Sequence, residues 1–156
     1  MPDEVGEVLH QLAVGGVVDP ASVQGCSEAD IVALENKVAL TLPRTYRAFL
    51  AAMGRSAGDF LCGTDFLYAD LPLRAYADDL LSESEVPLAL DRDDFVFAMH
   101  QGYTFLFFRC GISDDPPVFL YDENKTSFQR VAYSFSSWLA SAAQDEIALA
   151  AEVRKR

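Results

Sequence analysis

The stretch from Phe95 to Tyr133 limits the possible folds more than any other part of the chain. Phe95-Val96-Phe97-Ala98-Met99 runs into a turn at His100-Gln101-Gly102, followed by Tyr103-Thr104-Phe105-Leu106-Phe107-Phe108-Arg109. A polar break, Ser113-Asp114-Asp115-Pro116-Pro117, precedes Val118-Phe119-Leu120-Tyr121, a turn through Asp122-Glu123-Asn124-Lys125, and a last run from Phe128 to Tyr133. Short aromatic and β-branched runs punctuated by Gly, Pro, Asn and Asp predict an antiparallel meander. The first two runs are apolar on both alternating faces, so they belong in the middle of the sheet with helices covering at least one side. The fold class expected is α+β: an antiparallel sheet with helices packed against it.

A chain of 156 residues is a single-domain length and buries roughly 68–70% of its unfolded surface. Hydrophobic residues make up 51% of it, enough for a core without disulfides, metals or cofactors, and none of these is expected. No apolar run approaches the ~20 residues of a membrane span. Asp3, Glu4 and Glu7 stand where a secretory signal is basic, so the expectation is a cytoplasmic protein with no membrane partner. Cys26, Cys62 and Cys110 are odd in number and set in apolar surroundings, as reduced thiols in a cytosolic protein would be.

Charge is unevenly distributed. The formal net charge is −12, and residues 59–94 alone hold ten acids against Arg74 and Arg92. Such a field repels phosphate backbones and argues against nucleic acid as a partner. It attracts basic proteins and raises their association rate by roughly 10 to 10³-fold at low salt.

Around the meander the pattern is helical. Val5, Val8, Leu9 and Leu12 share one face of a first helix that Gly15-Gly16 stops. Ser27-Glu28-Ala29-Asp30 is a capping box, and Ile31, Leu34 and Val38 form the stripe behind it. Leu42-Pro43 breaks that helix and opens another, proline falling in its first turn. Tyr46, Phe49, Leu50 and Met53 are its buried face, with Gly54 as a left-handed cap. Phe60–Gly63 and Asp65–Tyr68 read as short strands. Leu71–Ser84 reads as a helix with Leu73, Tyr76, Ala77, Leu80 and Leu81 inward. Ser134 or Ser136 caps a final helix that carries Phe135, Trp138, Leu139 and Ala142 on one face and ends near the basic Arg154-Lys155-Arg156.

Motifs that suggest chemistry are few. Gly54-Arg55-Ser56-Ala57-Gly58 fits the G-x-S-x-G elbow of α/β-hydrolases. That elbow needs a buried strand before the serine and a helix after it; here a helix precedes it and a loop follows. His10 and His100 lie too far apart in sequence, and the cysteines are too scattered, to read as a zinc set. Asp91-Arg92-Asp93-Asp94 lacks the glycine and terminal glutamate of an EF-hand loop. No catalytic residue is expected, and no enzyme.

Ser27-Glu28-Ala29-Asp30-Ile31, Leu34-Glu35, Leu42-Pro43, Tyr46, Phe49-Leu50 and Gly54 together resemble the opening of the SUKH superfamily, the SMI/KNR-type domains. Gly102-Tyr103 resembles the start of that family's aromatic strand, and Pro117-Val118-Phe119-Leu120-Tyr121-Asp122 its proline-led strand. Ser134-Phe135-Ser136-Ser137-Trp138-Leu139 resembles its closing helix. The best match runs from residue 27 to 143, with residues 1–16 as an N-terminal helical addition to a single domain.

The resemblance implies a non-catalytic domain, in many bacterial members an immunity protein that neutralises a cognate toxin of nuclease or deaminase class. Its alternative is a regulatory or scaffold module with no toxin partner. Occlusion by acidic and aromatic side chains is the mechanism implied. The residues expected to meet a basic toxin are Asp78, Asp79, Glu83, Asp91, Asp93 and Asp94, with Asp114, Asp115, Asp122 and Glu123 at the meander turns and Tyr103 as an aromatic anchor.

Overall fold

The structure is a computed structural model that describes residues 3–155. Five helices, α1 (Glu4–Val14), α2 (Glu28–Val38), α3 (Arg44–Met53), α4 (Arg74–Ser82) and α5 (Phe135–Arg154), surround one five-stranded antiparallel sheet. Its strands are β1 (Thr64–Asp65), β2 (Asp94–His100), β3 (Thr104–Arg109), β4 (Val118–Asp122) and β5 (Gln129–Ala132), and their spatial order is their chain order. This is the meander expected from the aromatic runs, with β2 and β3 inside it.

Both faces of the sheet are covered. Phe95, Phe97 and Phe108 point into a core shared with α1, α2, α3 and α5. Val96, Met99, Phe105, Phe107 and Tyr121 point the other way, onto Ala77 and Leu81 of α4 and Leu73 just before it. Strict alternation fails once: Phe97 and Ala98 both enter the larger core. A register shift between Val96 and Ala98 against β3 accounts for it, because a bulge turns two consecutive residues to one side. Tyr46 stands at the centre of the larger core, its ring 5.1–6.1 Å from those of Phe49, Phe95, Phe97, Phe108 and Phe135.

The helix starts follow the sequence closely. Ser27 accepts from the Asp30 N–H while the Asp30 carboxylate accepts from the Ser27 N–H, a complete capping box. Ser134, rather than Ser136, caps α5 by accepting from the Ser137 N–H. Leu34-Glu35 and Leu42-Pro43 turn out to be one device. Glu35 reaches forward to accept the Leu42 N–H at 2.8 Å and also pairs with Arg47 at 3.2 Å, tying the end of α2 to the start of α3.

Four expectations are corrected. Pro43 is the residue before α3, not part of its first turn. Gly54 has φ −69°, so it is no left-handed cap. Its hydrogen is required because a Cβ would lie 2.7 Å from the Leu50 carbonyl and 2.8 Å from the Cys26 sulfur. Residues 60–63 form turns, and only Thr64–Asp65 of the next stretch is strand, followed by a 3-10 turn at Tyr68–Asp70. Tyr76 faces outward, 62% exposed, because Leu73, Ala77 and Leu81, with Leu80 partly buried beside them, fill the face that meets the sheet.

At the two ends of the described chain, α1 and α5 pack against each other. Gln144 Nε2 donates to Gln11 Oε1 at 3.0 Å, Ile147 packs over Gly15, and the Arg154 guanidinium donates to the Gly15 carbonyl. Arg156, the last of the basic trio, lies outside the described residues.

Candidate partner-binding groove

Arg74 opens α4 and divides its guanidinium between its own helix and the segment that leads into β2. Nε meets both oxygens of Asp78 at 3.0 Å, Nη1 donates to the carbonyls of Asp91 and Asp94, and Nη2 donates to that of Leu90. Across the β2–β3 ladder Arg109 pairs with the carboxylates of Asp91 and Asp94. The Asp94 hydrogen bond, and then the negative charges of Asp94 and Asp91, raise the Arg109 pKa. Two arginines thus neutralise much of what looked like an open acidic cluster.

The carboxylates expected to meet a partner therefore divide. Asp94 is 4% exposed, accepts the Asp91 N–H at 2.8 Å and is paired, so it holds the strand start together and is corrected from a contact residue to a structural one. Asp115 is half-buried: it accepts from the Thr45 hydroxyl and from the N–H and hydroxyl of Ser136. Asp122 closes its turn by accepting the Asn124 N–H. Asp78 and Asp91 are exposed but paired with arginine. Asp79, Glu83, Asp93, Asp114 and Glu123 are exposed and make no ion pair among the described residues. Tyr103 is 39% exposed, its hydroxyl donating to Gln101.

Two of those free acids, Asp79 and Glu83, lie on the outer side of α4 and line a cleft of about 490 Å³ with Asp65, Asp70, Tyr76, Leu80 and Met99. A second cleft of about 410 Å³ shares Leu80 and Glu83 with the first and adds Glu85, Tyr121, Glu123 and Asn124. Joined, they form a groove with six carboxylates along the rim and no lysine or arginine among its lining residues. Leu80, Met99 and Tyr121 lie among these carboxylates, and Tyr76 lines the groove as a largely exposed ring. A surface of this kind accepts cationic side chains, whose stems cover the interspersed apolar groups while their heads meet carboxylates.

Asp65, Asp70, Glu85 and Tyr76 were not singled out by sequence. Adjacency in the chain favoured Asp91–Asp94, whereas freedom from arginine is decided by tertiary pairing. The hydrolase-like serine has a different role here. Ser56 Oγ donates to the Ser22 carbonyl at 3.0 Å, and its backbone pairs with Gln24 in both directions, strapping the loop before α2 to the end of α3.

The SMI1 / KNR4 family (SUKH-1) profile matches residues 25–141. The chain belongs to that family. No curated protein sequence matches it. In the SUKH-1 frame, the match begins just before the capping box of α2 and ends inside α5, so it contains the whole sheet, α4 and both clefts. Outside it lie α1 and the rear of α5, the two elements that pack on each other. SUKH domains are known as immunity-type domains, which makes a protein the partner class to consider first. No described helix is long and apolar enough to cross a membrane.

Proposed function

We propose that this SUKH-1 protein is a cytoplasmic, immunity-type inhibitor that captures a basic bacterial toxin in the acidic groove along α4. The observation that carries the reading is the segregation of charge. Arg74 and Arg109 silence Asp78, Asp91 and Asp94, while six carboxylates lining the groove have no basic neighbour within it. Inhibition is by occlusion. Carboxylates occupy the arginines and lysines with which a nuclease or deaminase would hold substrate phosphates, and Tyr76 and the groove floor bury the intervening apolar surface. No bond is made or broken by the inhibitor.

Growth rescue tests it. Co-expression with the toxin encoded beside this chain should restore growth, and the purified complex should weaken steeply as salt is raised. Absence of rescue, together with a partner whose binding ignores salt, would favour the regulatory or scaffold role instead.

A further inference from the structure

On the opposite flank of α4 lies a groove of a different character. It measures about 640 Å³, and its floor is Val38, Leu40, Pro72 and Phe95. Two carboxylates reach it, Asp78 and Asp94, and both are already engaged, by Arg74 and Arg109 respectively. Lys37 and Arg92 also line it, are exposed, and make no ion pair among the described residues. In a chain of net charge −12, the unengaged charges around this apolar trough are positive.

We propose that the groove binds a small anionic amphiphile, a molecule with one carboxylate, sulfonate or phosphate head and a compact apolar body. The volume falls in the roughly 300–1,000 Å³ range of small-molecule sites. An apolar body displaces water from Val38, Leu40, Pro72 and Phe95, while the head sits between Lys37 and Arg92, where charge-assisted hydrogen bonds form. The negative field of the rest of the molecule does not forbid this, because it is screened within about 10 Å at 0.1 M salt. A cationic amphiphile of the same length gains the floor but meets two like charges at the rim. The inference is independent of any toxin, since the acidic groove lies on the other side of the helix.

The test uses decanoate as the probe and the intact chain. Amide NMR shifts on titration should be saturable and centred on Val38, Leu40, Phe95 and Val96. Decyltrimethylammonium should not reproduce them. The surface double variant Lys37→Glu/Arg92→Glu should bind decanoate at least about fivefold more weakly, and Asp79→Lys/Glu83→Lys should not weaken it. Unsaturable shifts, shifts centred elsewhere, equal binding of the cationic probe, or a smaller loss in the first double variant would each overturn the proposal. The NMR map on the unmodified chain keeps the test decisive if that variant fails to fold.

Discussion

Asp94 and Arg109 are direct partners across the β2–β3 ladder, and the Arg109 Nε donates to the buried Asp94 carboxylate at 3.1 Å. The pair fixes the start of the sheet. Arg109→Ala leaves the buried carboxylate with the Asp91 N–H but no cation, and should cost about 1–3 kcal/mol. Asp93→Ala, one position away but exposed, should change stability by no more than about 0.5 kcal/mol. Urea midpoints of the two variants check the contrast, and equal midpoints would contradict it. Reversing Asp94 to Lys sets a cation against Arg109 and should prevent folding.

Tyr46 is fully buried, and its hydroxyl has no hydrogen-bond partner among the described residues. Burial pushes its pKa well above the usual phenol value. Tyr46→Phe removes the unsatisfied oxygen while keeping every ring contact. The variant should be more stable by about 1–2 kcal/mol, raising Tm by roughly 2–4 °C per kcal/mol in a domain of this size. A lower Tm would mean that the hydroxyl has a partner in solution.

Asp79 and Glu83 are exposed, make no ion pair among the described residues and lie away from the packed face of α4. Replacing both with Lys should leave the urea midpoint within about 0.5 kcal/mol of the parent. Association with a cationic partner at low salt should slow by about tenfold or more, and the difference should shrink as ionic strength passes roughly 0.15 M. Stopped-flow rates at two salt concentrations measure it. An unchanged rate at low salt would remove the groove from the contact surface.

Asp30 carries the pH dependence that is easiest to isolate. The Ser27 N–H, and then the Arg55 guanidinium, hold its carboxyl below the ordinary 3.8. A depressed carboxyl contributes stability that is present above the ordinary value and lost as pH falls through the lowered one. Asp30→Asn should therefore be less stable than the parent at pH 7, with the gap closing below about pH 4. Chemical denaturation at pH 7 and pH 3 tests the sign, and a gap that widens in acid would refute it.

The three thiols differ in reactivity. Cys62 is exposed, while burial raises the Cys26 pKa and pushes Cys110 to about 12. Since the thiolate is the nucleophile, iodoacetamide at pH 8 should add once to the native chain, at Cys62. Denatured protein should take three additions. Intact mass spectrometry counts them, and native labelling of Cys110 at the rate of Cys62 would contradict its burial.

What could be read from the sequence was local. The capping box at Ser27 and Asp30 and the aromatic meander are written in adjacent residues and appear where the pattern put them, while the structure chooses Ser134 over Ser136 as the last cap. The inward set of α4 went wrong at Tyr76 because its neighbours already fill the apolar stripe, leaving no room for it. Gly54 was misread because the reason for it is the Cys26 sulfur, nearly thirty positions earlier. The site suffered most. Whether an aspartate is free depends on which arginine reaches it, and Arg109 reaches Asp91 and Asp94 only after β2 and β3 pair. Sequence found the excess of acid, but not its division into spent and unspent.

The Ser113–Pro117 connection has the composition of a dispensable surface loop, yet its two aspartates anchor distant helices. The Asp114 carbonyl holds the Thr45 N–H at the start of α3, and the Asp115 carboxylate holds the Thr45 hydroxyl and the Ser136 N–H at the start of α5. Two helix origins far apart in the chain therefore share one fastener. Loosening this connection takes hydrogen-bond partners from both helix starts together, so a stretch that looks expendable couples their opening.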